Sequence, residues 1–117
     1  MVPADDVIPD IVWVSSRRLA TILWQDGKLH AAPELVVEVL SPGSFNERRD
    51  REIKLNLYSR RGVDEYWIVD LQSRNVAIFR RRDQLVLTVT LSETECLTTP
   101  LLEGFTCPVA EFFARIL

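Results

Sequence analysis

The run Leu35-Val36-Val37-Glu38-Val39-Leu40 decides how this chain is interpreted. Apart from Glu38 it contains only valine and leucine, a composition that is typical of a β-strand covered on both faces. An ionised carboxylate inside such a strand costs several kcal/mol unless it is paired with a positive charge or bound to a metal ion. We therefore expect another ionisable group or a cation to lie beside Glu38.

Asp10 is the first group that can approach Glu38. It stands near the start of an apolar run, Ile8 to Val14, that is rich in Ile, Val and Trp and is predicted to form a strand. Because side chains alternate along a strand, Asp10 is expected on the same face as the core residue Val12. The alternative is that Asp10 only caps the start of this strand.

Ionisable residues also lie on the core-facing side of a predicted helix from Asn46 to Arg61, with Gly62 as its C-terminal cap. At about 100° per residue, they share an arc with the apolar side chains of the helix. The ionisable residues of this arc are Glu47, Asp50 and Lys54, and its apolar residues are Ile53, Leu55, Leu57 and Tyr58. One interpretation is an internal Asp50–Lys54 pair at i,i+4, worth about 0.2–0.5 kcal/mol. The other is that Lys54 neutralises Glu38, which the preceding strand brings to the same core.

Two acids and a lysine that converge on one sheet predict a metal-dependent phosphodiesterase site. Mg²⁺ binds oxygen ligands, commonly one or two carboxylates together with water and substrate phosphate, and Asp10 and Glu38 supply such carboxylates. Lys54 can neutralise Glu38 and can also stabilise the negative charge that develops on a phosphate during its hydrolysis.

Composition predicts one globular domain, residues 1–117, in which 47% of the residues are hydrophobic. The net charge of −3 does not indicate a nucleic-acid-binding protein, although arginines cluster on the predicted helix. These are Arg48, Arg49, Arg51 and Arg60, and they form either a contact surface for nucleic acid or a solvated helix face. Two unpaired cysteines, no signal-peptide pattern and no apolar run long enough for a bilayer predict a cytoplasmic protein without a membrane span.

The rest of the chain predicts a mixed α/β domain. Ser15 or Ser16 is expected to cap a helix that ends near Gln25, and Pro108 is expected to open the last helix. The further predicted elements are strands at 65–70, 76–81 and 85–91, of which the last two form a C-terminal hairpin, and a helix at 109–116.

A string of motifs, in this order, resembles the bacterial Uma-two family, which belongs to the PD-(D/E)xK restriction-endonuclease-like superfamily. The motifs are Pro9-Asp10, Ala32-Pro33-Glu34-Leu35-Val36-Val37-Glu38-Val39-Leu40-Ser41-Pro42, Asp50 and Lys54, Tyr58, Gly62-Val63 and Glu65-Tyr66-Trp67-Ile68-Val69-Asp70. The resemblance runs from about Ile8 to Phe113. It implies a four-stranded mixed core sheet flanked by helices, and a Mg²⁺-dependent nuclease site to which Asp10 and Glu38 contribute.

The sequence departs from the pattern of that family in two places. Leu40 stands where the superfamily normally has its lysine, two residues after the acid of the strand, and Lys54 on the following helix is expected to replace it. Family members also carry a helix, often with an acidic site residue, and at least one strand before the Pro-Asp element. We expect an N-terminally short member whose strand Ile8–Val14 lies at an exposed sheet edge and pairs with a second copy to form a homodimer.

Two functions are compatible with these features. The first is a DNA endonuclease that uses Mg²⁺ or Mn²⁺ held by Asp10 and Glu38, with Lys54 as the third catalytic residue and Asp50 and Glu47 in support. The arginines of the helix would contact DNA phosphates without reading sequence. The second is a catalytically inactive remnant that keeps the nuclease fold as a structural or regulatory binding module. Retention of costly buried charges favours the first.

Overall fold

The structure is a computed structural model that describes residues 9–40 and 47–116, without the side chains of residues 47, 48, 115 and 116. Its elements, in chain order, are β1 (Ile11–Trp13), α1 (Ser16–Ile22), β2 (Leu35–Leu40), α2 (Glu47–Arg61), β3 (Glu65–Asp70), β4 (Asn75–Arg81), β5 (Leu85–Ser92), β6 (Cys96–Thr98), β7 (Thr106–Pro108) and α3 (Val109–Ile116). Within these ranges no helix is both long and apolar enough to cross a membrane.

The central feature is a five-stranded sheet in the order β1-β2-β3-β4-β5. β2 and β3 are parallel and are connected through α2, whereas every other neighbouring pair is antiparallel. β6 and β7 form a separate two-stranded ribbon. The predicted mixed sheet flanked by helices and the hairpin of β4 and β5 are confirmed, but the sheet has one strand more than the family resemblance implied.

The two faces of the sheet carry separate hydrophobic cores. On one face Leu35, Val37 and Trp67 pack with Val109 and Phe113 of α3. On the other face the intervening residues of β2 and β3 pack with α2, as alternation along the strands requires. Both central strands are therefore covered on both sides, which explains their nearly continuous apolar sequence.

α2 lies on the second face and ends as the sequence predicts. Gly62 adopts φ +85°, a left-handed conformation that suits glycine, and the N–H of Val63 bonds to the carbonyl of Tyr58. The buried side of the helix contains Leu57 and Tyr58. Ile53, which was expected in the core, is 48% exposed, so the core-facing arc is narrower than the helical wheel indicated.

The beginning of the described chain differs most from its prediction. β1 covers only three residues and lies at the edge of the sheet, and its predicted start at Ile8 lies outside the described residues. Asp10 is exposed in a bend before the strand, so alternation within β1 does not place it. Ser15 caps α1 as predicted, with its hydroxyl accepting from the N–H of Arg18, but the helix ends at Ile22.

Candidate functional site

Glu38 is 4% exposed and lies on the face of β2 that α2 covers. Its Oε2 accepts a hydrogen bond from the hydroxyl of Tyr58 at 3.0 Å and lies 3.3 Å from Nζ of Lys54. Its Oε1 accepts the backbone N–H of Asp10 at 3.3 Å. Three donors from two other segments thus satisfy the buried carboxylate, as its burial requires.

Asp10 and the strand of Glu38 are linked in both directions. While the N–H of Asp10 donates to Glu38, its own Oδ2 accepts the N–H of Val39 at 2.7 Å. These reciprocal bonds hold the two acidic residues next to each other. The two interpretations of Asp10 therefore coexist, because a carboxylate that fixes the chain before β1 also lies beside Glu38.

Lys54 bridges two carboxylates. Its Nζ lies 3.3 Å from Oε2 of Glu38 and 3.2 Å from Oδ2 of Asp50, one turn earlier on α2. Burial is the largest single influence and lowers the pKa of Lys54, but the charges of Glu38 and Asp50 and its hydrogen bonds to them outweigh it. The pKa of Lys54 therefore lies above its usual value, and the residue is a cation at neutral pH.

Tyr58 belongs to the site although its role was not recognised from the sequence. Burial, followed by the negative charge of Glu38, raises the pKa of Tyr58, which keeps its hydroxyl protonated as a donor. Its ring packs edge-on against Tyr66, with the ring centroids 5.1 Å apart. The signal was present in the spacing, since Asp50, Lys54 and Tyr58 follow one another at i,i+4 along one helix face.

The predicted supporting residues divide into three groups. Asp50 contacts Lys54, as described above. Arg49 and Arg60 are exposed on α2, and Arg51 is half-buried and lines a cleft beside the helix. Glu47 and Arg48 belong to α2, but their side chains lie outside the described residues, so their predicted roles are not tested.

A second buried carboxylate, Glu65, lies on the opposite face of the sheet. It accepts hydrogen bonds from Nε1 of Trp67 at 2.9 Å and from the hydroxyl of Thr99 at 2.5 Å, and Nε of Arg80 lies 3.6 Å away. Arg80 also donates to the carbonyl of Thr98 at 2.8 Å. This cluster fastens the C-terminal segment to β3 and β4, and it is separated from Glu38 by the sheet.

The donor set fits one hard divalent cation. Mg²⁺ in proteins is commonly held by one or two carboxylates and completes its octahedron with water and substrate oxygens. Oε2 of Glu38 contacts both Tyr58 and Lys54, whereas Oε1 accepts the N–H of Asp10 at 3.3 Å and keeps a second lone pair. A cation would therefore be held by Oε1 and by the exposed carboxylate of Asp10. Among the described side chains, those of residues 9–40 and 49–114, no group of three or more His, Cys, Asp or Glu gathers as a larger ligand cluster.

The mixed sheet and its flanking helices define a restriction-endonuclease-like α+β fold. The chain belongs to the Uma2 family, described as "Putative restriction endonuclease", whose model matches residues 2–110. This confirms the family resemblance of the sequence motifs.

The fold is shared with a crystal structure from Anabaena variabilis ATCC 29413 that is described as a putative nuclease. The two chains superpose with a TM-score of 0.69 at 16% sequence identity, over 95% of this chain and 62% of the other. This chain therefore spans less than two thirds of the length of that relative. No curated protein matches the sequence.

Proposed function

We propose that this protein is an endonuclease that hydrolyses DNA phosphodiester bonds with the help of Mg²⁺ or Mn²⁺. The observation that carries the proposal is the reciprocal pairing of Asp10 with the strand of Glu38, with the Lys54 ammonium 3.3 Å from the buried carboxylate. Membership of a family described as restriction endonucleases, together with the shared nuclease fold, supports the same class of reaction.

Asp10 and Oε1 of Glu38 would hold the cation, which supplies Lewis acidity and lowers the pKa of a bound water. Lys54 keeps its proton and stabilises the negative charge that develops on the phosphate. Asp50 accepts from Lys54 and so fixes the position of the ammonium group. Tyr58 holds the other oxygen of Glu38 in place, so that the carboxylate presents Oε1 in one orientation.

The nucleic-acid contacts are proposed for the arginines of α2. Arg49, Arg51 and Arg60, with Arg48 on the same helix, would bind DNA phosphates and position the backbone over the site without reading its sequence. Glu47 is proposed as a supporting acid. A locally basic helix can do this although the net charge of the chain is −3, because phosphate contacts depend on the local charge.

A second function remains a candidate because only two carboxylates form the proposed metal site. In this alternative the chain is a catalytically inactive relative that keeps the fold as a structural or regulatory binding module. Lys54 would then serve only to neutralise Glu38. The two functions differ in one measurable property, which is metal-dependent cleavage of DNA.

The decisive experiment compares plasmid nicking by the wild type and by Glu38→Gln in Mg²⁺, in Mn²⁺ and in chelator. We expect nicking by the wild type in either metal, none in chelator, and none by the variant, because the amide loses the charge that holds the cation. Glu65→Gln is the matched control, since it alters the other buried glutamate on the opposite face and should retain nicking.

Thermal melting of each variant separates loss of chemistry from loss of fold. Glu38→Gln is expected to remain folded, since Lys54 keeps Asp50 as its partner. Full activity in Glu38→Gln would refute the assignment of the site. An inactive but folded wild type would favour the binding module instead.

A further inference from the structure

An open cleft of about 410 Å³ lies beside α2, on the same face of the sheet as Glu38. Its position follows from the strand register, in which Glu38, Ile68, Ala77 and Thr90 form one row across β2, β3, β4 and β5. Ile68, Ala77 and Thr90 all line the cleft. At about 4.8 Å between strands, these three residues lie about 5, 10 and 14 Å from Glu38.

The floor of the cleft is apolar and its rim is polar. Phe79 and Leu87 contribute to the floor, and Leu87 is 57% exposed, so this apolar surface is open to solvent. The polar residues of the lining are Arg51, Glu52, Asp70, Asn75 and Thr90. An apolar floor with a few polar groups around it is typical of a small-ligand site, and 410 Å³ lies within the usual size range of about 300–1,000 Å³.

We propose that this cleft binds one unpaired nucleobase of the DNA strand whose scissile phosphate lies at Asp10 and Glu38. The proposal rests on the proposed nuclease function and specifies its substrate as single-stranded or locally unpaired DNA. A base inside an intact duplex cannot reach a pocket of this kind without leaving the stack, which costs a few kcal/mol and favours strands that are already unpaired.

The charge of the rim favours a base over a phosphate. Two carboxylates, Asp70 and Glu52, and one guanidinium, Arg51, line the cleft, so its lining is net negative and disfavours a phosphate group inside it but not a neutral base. The amide of Asn75 and the hydroxyl of Thr90 offer donors and acceptors, which match the mixed pattern on the edge of a nucleobase. Phe79 and Leu87 provide apolar contact for the flat faces of the ring.

The test measures binding of a short fluorescein-labelled single-stranded oligonucleotide, and of the same sequence as a duplex, by fluorescence anisotropy in chelator and low salt. The wild type should bind the single strand more tightly than the duplex. Leu87→Asp should weaken single-strand binding about tenfold, since contact with one base is worth about 1–3 kcal/mol. Duplex binding should be unaffected. Thr88→Asp adds the same charge at an exposed position on the same strand outside the cleft, and should leave both affinities unchanged.

Several results would overturn the inference. These are equal binding of single strand and duplex, no binding of either, or equal effects of Leu87→Asp and Thr88→Asp. A change of oligomeric mass in Leu87→Asp would assign the cleft to a contact between copies instead. If Leu87→Asp lowers the melting temperature so far that the protein unfolds, Thr90→Asp, at an exposed position of the cleft lining, is used in its place with the same expected result. Because binding is measured without metal, it is independent of cleavage. If the base does not bind in the cleft but the protein still nicks plasmid, only the subsite is refuted and the nuclease assignment stands.

Discussion

At the scale of single residues, Glu38 both indicates the candidate site in the sequence and shows how a carboxylate can be accommodated in a hydrophobic core. Its carboxylate is almost fully buried, yet it receives donors from Asp10, Lys54 and Tyr58. Because folding raises the pKa of Lys54, its contribution to stability is fully present below its unfolded-state pKa. That contribution is lost only as the pH rises through the folded-state pKa, so the pair is intact at neutral pH.

Removal of the Tyr58 hydroxyl tests how strongly Glu38 depends on its donors. Tyr58→Phe keeps the buried ring and deletes one hydrogen bond to a charged acceptor, so we expect the free energy of unfolding to fall by about 1.5–3 kcal/mol. Nicking should be reduced but retained, because the residue positions Glu38 and does not contact substrate. Urea denaturation and plasmid nicking measure the two effects.

Tyr66→Phe is the matched control for that change. Tyr66 is buried next to Tyr58, but its hydroxyl makes no hydrogen bond to Glu38 in the described part of the chain. Its substitution should therefore leave nicking unchanged. If both variants lose the same stability and activity, the hydroxyl of Tyr58 has no special role in holding Glu38.

The residues of the site and the contacts of Lys54 with Glu38 and Asp50 could be proposed from sequence, but the contacts of Asp10 and Tyr58 could not. Glu38 was identifiable because a charge interrupts an apolar strand, and Lys54 because a wheel places it on the buried side of α2. Asp10 was expected to face the core by alternation, whereas the structure holds it through its backbone and its bond to Val39. A main-chain hydrogen bond of this kind leaves no pattern in the sequence.

At the scale of elements, the bounds of a strand were predicted well where its own sequence forms a clear apolar or alternating run. β3 has the predicted bounds Glu65–Asp70, and β4 and β5 lie within one residue of theirs. β6 and β7 were missed, because each has three residues and gains its stability from its partner. Glu65 was also passed over, since it stands at the end of its apolar run rather than within it.

The attachment of the C-terminal segment depends on Glu65 and can be tested at Thr99. Thr99→Val keeps the shape of the side chain but leaves one oxygen of a buried carboxylate without its hydroxyl donor. We expect the free energy of unfolding to fall by about 1–3 kcal/mol in urea denaturation. Thr98→Val, at the preceding, exposed position that ends β6, should change it little. Equal losses would show that the buried bond contributes nothing specific.

At the scale of the whole molecule, exposed apolar residues concentrate in the N-terminal part of the described chain. Of the large hydrophobic residues that are exposed in the described part of the chain, most lie between residues 11 and 29. Ile11 and Val12 belong to β1, and Leu23, Trp24 and Leu29 belong to the loop after α1. Within the described residues β1 pairs only with β2, so its other edge has free hydrogen-bonding groups.

This edge could instead be covered by the C-terminal hairpin or by the last helix, but the hairpin of β4 and β5 lies at the far side of the sheet. α3 instead packs on a face of the sheet, where Val109 and Phe113 join the core of β2, β3 and β4. An open apolar edge favours pairing with another chain, and two-fold symmetry is the commonest arrangement of identical subunits. The proposed homodimer would place β1 of one copy antiparallel to β1 of the other.

Light scattering after size exclusion tests this dimer, and we expect twice the monomer mass at micromolar concentrations. Val12→Lys places a charge on the proposed interface, where 41% of the valine is exposed in one chain, and should convert the protein to a monomer that melts as a folded domain. Ile53→Lys, at a similarly exposed position on α2, is the control and should leave the mass unchanged. A wild-type monomer would refute the dimer. Dissociation by Ile53→Lys but not by Val12→Lys would place the contact between copies away from β1.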